Sequence, residues 1–104
     1  MVSKIIWSPE ARADLGNIAR EIAQDRPGFA VEYCLALMAK VETIAPFPFQ
    51  GRKFPGQSSS NLREIIVRPY RIIYELRPDA VALDVLRVWD ARRGEPEFVR
   101  PSLP

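Results

Sequence analysis

Seven arginines, Arg63, Arg68, Arg71, Arg77, Arg87, Arg92 and Arg93, fall within one stretch of apolar and β-branched residues running from Asn61 to Arg93. A surface built from such side chains attracts phosphates or an acidic protein segment. The distribution of charge agrees: residues 1–51 carry five Lys/Arg and six Asp/Glu, a balance of −1, whereas residues 52–104 carry ten and seven, a balance of +3. The plain alternative is structural. Glu64, Glu75, Asp84 and Asp90 lie in the same stretch, and cross-strand ion pairs of about 0.2–1 kcal/mol are common in sheets.

Most familiar hydrolytic chemistries are excluded by inventory. The chain has no histidine, and Cys34 is its only cysteine. A Ser-His-Asp triad, a Cys-His nucleophile pair, a Cys/His zinc site and an internal disulfide therefore cannot be assembled. Cys34 falls in a helical apolar pattern and reads as a structural thiol. The 104 residues, 47% hydrophobic and 27% charged, suit one globular domain. No window approaches the ~18 unbroken apolar residues of a membrane span. The N-terminus, Met1 to Trp7, lacks the long apolar core and cleavage site of a secretory signal, so a cytoplasmic location is expected.

The elements that must position the arginines follow from periodicity. Val2–Trp7 is a strand, and Ser8-Pro9 supplies an N-cap followed by proline at the first helical position. Ala11, Leu15, Ile18 and Ile22 form one helical stripe, with Arg12, Asp14, Arg20 and Glu21 on other faces. Asp25-Arg-Pro-Gly28 is turn chemistry. A second stripe, Ala30, Tyr33, Leu37, Val41 and Ile44, runs until Pro46 and Pro48 stop it. Residues 47–60, rich in Pro, Gly and Ser, read as an ordered start followed by a mobile loop.

Three strands follow as a meander. In the first, Arg63, Ile65 and Val67 share one face, and Leu62, Glu64, Ile66 and Arg68 the other. After Pro69, Tyr70, Ile72, Tyr74 and Leu76 oppose Arg71, Ile73, Glu75 and Arg77, and Tyr70 and Tyr74 read as core rather than as stacking platforms. The Val81 strand mixes charge and apolar residues on both faces and runs to Arg93. The expected fold is α+β, in the order β-α-α-β-β-β. A twisted, mainly antiparallel sheet carries a helical hairpin on one face and leaves the other partly free. Residues 1–93 form the domain and 94–104 a C-terminal tail. The meander strand joined by the first strand is left open.

The ordered set resembles a known family. It comprises a strand entering Ser8-Pro9-Glu10-Ala11 with Asp14, Leu15 and Ile18, the hairpin Arg68-Pro-Tyr-Arg-Ile-Ile-Tyr74, and a Val/Leu strand ending in Arg92-Arg93. Over roughly residues 2–93 it is similar to the RelE/ParE superfamily of bacterial type II toxins, often labelled plasmid stabilisation proteins, and its hairpin is closer to ParE-like members. The resemblance implies the RelE/ParE-like fold and no cofactor or metal. It implies a toxin that inhibits DNA gyrase by binding rather than as an enzyme. Its partner would be a cognate antitoxin encoded by an adjacent gene, forming a hetero-oligomer with the toxin. The alternatives within the superfamily are a RelE-like, ribosome-dependent and metal-independent mRNA endoribonuclease, and a non-toxic member that keeps antitoxin binding.

The resemblance also assigns residues. On the RelE-like reading the catalytic cations are Arg63, Arg71 and Arg93. A further basic position is taken by Ile65, and the proton-transfer position near the C-terminus by Phe98 or Val99, which cannot move a proton. On the ParE-like reading the target is met by Arg71, Trp89, Arg92 and Arg93, with Trp89-Asp90-Ala91-Arg92-Arg93 in place of a His-Gly-Arg-Arg type ending. Antitoxin binding falls to Leu15, Ile18, Tyr33, Leu37 and Arg63, on the helical hairpin and the sheet edge.

Overall fold

Ser8 joins the first strand, β1 (Lys4–Trp7), to the first helix, α1 (Pro9–Asp25). Its hydroxyl oxygen accepts the Ala11 N–H at 3.0 Å as an N-cap and donates to the Leu86 carbonyl at 2.9 Å. Its own N–H donates to the Val85 carbonyl at 3.0 Å. The computed structural model describes Val2, residues 4–56 and residues 61–96. The second helix, α2 (Pro27–Ile44), begins after a single non-helical residue, Arg26. The turn expected over Asp25–Gly28 is that short because Pro27 at the first helical position starts α2 with its backbone already constrained. Among the described residues no helix is long and apolar enough to cross a membrane.

The strands β2 (Arg52–Lys53), β3 (Leu62–Val67), β4 (Tyr70–Leu76) and β5 (Ala82–Asp90) follow, and a 3-10 turn spans Ala91–Arg93. The sheet order is β1-β5-β4-β3-β2, with β1 parallel to β5 and the remaining pairs antiparallel. The open question of β1 is thus answered by β5, with Ile5 opposite Leu83.

Two readings of the sequence need correction. The first concerns residues 47–60, where β2 pairs Arg52 with Glu64 and Lys53 with Arg63 inside the expected loop. Gly51 permits the approach: its N–H donates to the Tyr74 hydroxyl at 3.1 Å. A Cβ there would lie 2.5 Å from that oxygen and 2.8 Å from the Glu64 carbonyl. Residues 57–60 lie outside the described residues. The second concerns the last strand, which stops at Asp90, because the Asp90 carboxylate accepts the Arg92 N–H at 2.9 Å and turns the chain.

The main core lies between the helices and one face of the sheet. Ala11 and Ile18 of α1 and Leu37, Val41 and Ile44 of α2 meet Tyr70, Ile72, Tyr74 and Leu76, every second residue of β4. Both tyrosines are core, as expected. Leu15, Ile22 and Tyr33 are half-buried against this cluster. Asp14, expected on an outer face of α1, is instead buried, for a reason given below.

The opposite face has its own cluster, Phe54, Leu62, Ile73, Leu86 and Trp89. The mixed pattern of β5 is resolved by a bulge. Ile73 pairs with Arg87 and Tyr74 with Val85, leaving Leu86 as the extra residue. Leu83, Val85 and Val88 therefore face the main core, while Leu86 and Trp89 face outward.

Candidate functional site

The free edge of β5 beyond Val85 is closed by α1, and this explains Asp14. Its Oδ2 accepts the Val88 N–H at 2.9 Å, and its carboxylate takes a bidentate pair from Arg87 at 2.7 and 2.8 Å. A carboxylate thus occupies the place of a missing strand partner. Arg87 is thereby a structural residue, and so is Arg77, whose guanidinium holds Asp84 through two 2.9 Å bonds. That contact raises the proton affinity of Arg77.

Arg71 is buried on the outer face of β4. Its Nε donates to Glu64 Oε1 at 2.6 Å, and its guanidinium lies 5.5 Å from the Phe54 ring centre. Glu64 is fully buried, and its other oxygen takes Arg52 at 2.5 Å. One carboxylate therefore serves two arginines.

Arg63 is on the other side of the sheet. Its neighbours Ile65 and Val67 pack against the main core, whereas Leu62 belongs to the outer cluster. Its guanidinium donates to the Gly51 carbonyl at 3.1 Å and sits 5.0 Å from the Phe49 ring. The structure does not bring Arg63 and Arg71 together.

Trp89 is the cross-strand neighbour of Arg71. Its ring is buried, its Nε1–H donates to the Gly94 carbonyl at 2.9 Å, and Arg87 and Arg93 lie 5.0 and 4.7 Å from it. Arg92 is bound by Asp90 through contacts of 2.9 and 2.8 Å. This pairing holds the Asp90 carboxyl below the usual range, led by its hydrogen bond from the Arg92 side chain, and drives the Arg92 value up. Phe98 and Val99 lie outside the described residues.

These placements define one open cleft of about 550 Å³ where the outer face meets the β3–β4 turn. Arg52, Arg68, Arg71 and Arg92 line it, around Ile66, Pro69 and Ala91. Arg52, Arg68 and Ile66 are not among the site residues that the sequence suggests. Alternation did place Arg68, Ile66 and Glu64 on one face, and that was the available signal. Among the described residues no three His, Cys, Asp or Glu side chains are grouped to hold a metal.

Of the residues assigned to antitoxin binding, Ile18 and Leu37 are 5% and 1% exposed and serve the core, and Leu15 and Tyr33 are half-buried. Burial and the neighbouring Cys34 raise the Tyr33 hydroxyl. The Cys34 thiol is half-buried, donates to the Leu15 carbonyl at 3.6 Å and is raised by burial. The exposed apolar stripe of the hairpin is Val31, Leu35 and Met38 on α2. It leads to a groove of about 410 Å³, where Met38 and Ala45 face Ile5 and Trp7 of the edge strand β1.

A family model described as the ParE toxin of the type II toxin-antitoxin system parDE matches residues 5–94. Among solved structures, the chromosomal ParDE system from P. aeruginosa contains a chain that superposes with a TM-score of 0.68 at 20% identity, covering 85% of this chain and 94% of that one. A mutant of the E. coli toxin RelE in the free state gives 0.64 at 16% identity, with 90% and 88% covered. The RelBE2 toxin-antitoxin complex from Mycobacterium tuberculosis gives 0.51 at 17%, with 85% and 96% covered. At these identities the likeness is one of fold. No curated protein sequence matches this chain.

Proposed function

We infer the function from one premise: the chain belongs to the ParE toxin family of type II toxin-antitoxin systems. It acts as the toxin of such a pair in the bacterial cytoplasm, inhibits DNA gyrase by binding it, and is neutralised by a cognate antitoxin encoded beside it. The observation that carries the choice of gyrase over mRNA cleavage is the state of the arginines. Stabilising charge at a cleaved phosphodiester calls for cations that converge on one point. Here Arg71 is committed to the buried Glu64, and Arg63 lies on the opposite face.

For the antitoxin, the supporting surface is the stripe Val31, Leu35 and Met38 together with the outer edge of β1. An amphipathic helix would cover the former and an added strand the latter. Leu15 and Tyr33 would contribute at the margin, and Ile18 and Leu37 by shaping the hairpin from within.

The test is pulse-labelling of DNA and protein synthesis within minutes of inducing the gene without its neighbour. Early failure of DNA synthesis, with filamentation, is the expected result. Early failure of protein synthesis, with mRNA cut at the ribosome, would overturn the gyrase target in favour of the ribosome. Normal growth would overturn toxicity itself.

A further inference from the structure

The cleft between β3, the β3–β4 turn and the 3-10 turn carries more cationic charge than its neighbours among the described residues neutralise. Arg52 and Arg71 share the single carboxylate of Glu64, and Arg92 is paired with Asp90. Arg68 forms no ion pair among the described residues and is exposed. Two further carboxylates, Glu95 and Glu21, approach Arg71 and Arg92 only to 3.9 Å. Their side chains are 89% and 64% exposed, so solvent screens them. Arg52 and Arg92 also keep most of their side chains in solvent, where a planar guanidinium can take a second carboxylate.

The cleft is not uniformly polar. Ile66, cross-strand from Arg71, is 45% exposed, and with Pro69 and Ala91 it supplies the apolar part of the lining. The groups that stack nucleobases are withdrawn. Trp89 and Tyr70 are each 5% exposed, Arg87 and Arg93 flank the Trp89 ring, and Arg71 covers Phe54. Single-stranded nucleic acid draws much of its affinity from such stacking. A polypeptide needs none of it.

We propose that this cleft binds an acidic peptide segment of a protein partner, one in which an apolar side chain sits between carboxylates. The apolar side chain rests on Ile66 and Pro69, and the carboxylates engage Arg68 and the outward edges of Arg52 and Arg92. The assignment rests on the toxin reading insofar as the segment belongs to the target protein, and it names the chemistry by which that target is recognised.

The experiment is fluorescence polarisation of the purified full chain with three labelled probes. One is a short peptide in which a leucine is flanked by glutamates, the second has glutamines in place of the glutamates, and the third is a single-stranded oligonucleotide of similar charge. The glutamate peptide is expected to bind best and to weaken as salt rises. Arg68→Glu should cost it at least about tenfold. That substitution breaks no ion pair among the described residues, and circular dichroism verifies the fold. Ile66→Thr should weaken the peptide several-fold while leaving its salt dependence unchanged. Equal binding of the glutamine peptide, tighter binding of the oligonucleotide, or indifference to Arg68→Glu would each overturn the proposal. Binding in a chain that leaves DNA synthesis intact in cells would keep the cleft assignment and remove gyrase as the target. Inhibition of DNA synthesis without peptide binding would do the reverse.

Discussion

Arg71 and Glu64 face each other on adjacent strands, with 2.6 Å between Nε and Oε1, and Glu64 holds Arg52 with its other oxygen. The pair is lopsided in a way that stability measurements detect. Loss of Arg71 leaves Glu64 still paired with Arg52, whereas loss of Glu64 leaves two guanidinium groups, one of them buried, without their carboxylate. Breaking a buried pair so that a charge is stranded costs about 3–5 kcal/mol. Glu64→Ala is therefore expected to approach that range in urea denaturation, with Arg71→Ala costing clearly less. Equal losses would show that the two arginines do not share Glu64 as described.

Asp14 ties α1 to β5 through Arg87 and the Val88 N–H, bridging positions more than seventy residues apart. Asp14→Ala removes the acceptor of a buried N–H and the bidentate carboxylate of a mostly buried guanidinium. A loss of about 3 kcal/mol is expected. Arg12→Ala, exposed on the same helix, serves as the comparison and should stay within about 0.5 kcal/mol. Similar midpoints for the two variants would remove the structural role given to Asp14.

Gly51 has no room for a side chain, since a Cβ would meet the Tyr74 hydroxyl at 2.5 Å and the Glu64 carbonyl at 2.8 Å. Gly51→Ala should push β2 away from β3 and cost about 2 kcal/mol or more. Tyr74→Phe deletes only the hydroxyl that accepts from Gly51 and donates to the Pro48 carbonyl at 2.7 Å. It should cost about 1–2 kcal/mol. In the double variant the hydroxyl clash is gone, so the two losses should fall short of additive. Strict additivity would place the clash elsewhere.

Asp90 contributes to the acid limb of stability. Its carboxyl is held below the usual value in the folded chain, first by the Arg92 side-chain hydrogen bond and then by the Arg92 N–H and the charges of Arg92 and Arg93. A depressed value means stabilisation that is fully present above about pH 4 and is lost as pH falls through the folded value. Asp90→Asn should lower stability at pH 7 and show a shallower loss between pH 7 and pH 3 than the parent chain. Parallel pH profiles would exclude Asp90 as a contributor.

Much of the fold is legible locally. The stripes of α1 and α2, the Ser8-Pro9 boundary and the alternation that buries Tyr70, Ile72, Tyr74 and Leu76 are all short-range periodicities. A side chain on a helix or strand is oriented by the backbone beside it. Legible in the same way is the shared face of Glu64, Ile66 and Arg68, which becomes one wall of the cleft.

Local sequence was enough to assign the class of α1, α2, β1, β3, β4 and β5, the two faces of β4 and the likeness to the ParE family. It could not give the parallel pairing of β1 with β5, the two-residue strand β2, the bulge at Leu86 or the burial of Asp14. Each depends on a partner distant in sequence, chosen by which backbone groups remain unpaired once the sheet has formed. The same holds for the arginines. Their spacing announces a basic surface, but only tertiary contacts decide that Arg71 is committed to Glu64, that Arg63 lies across the sheet, and that Arg68 is left facing solvent.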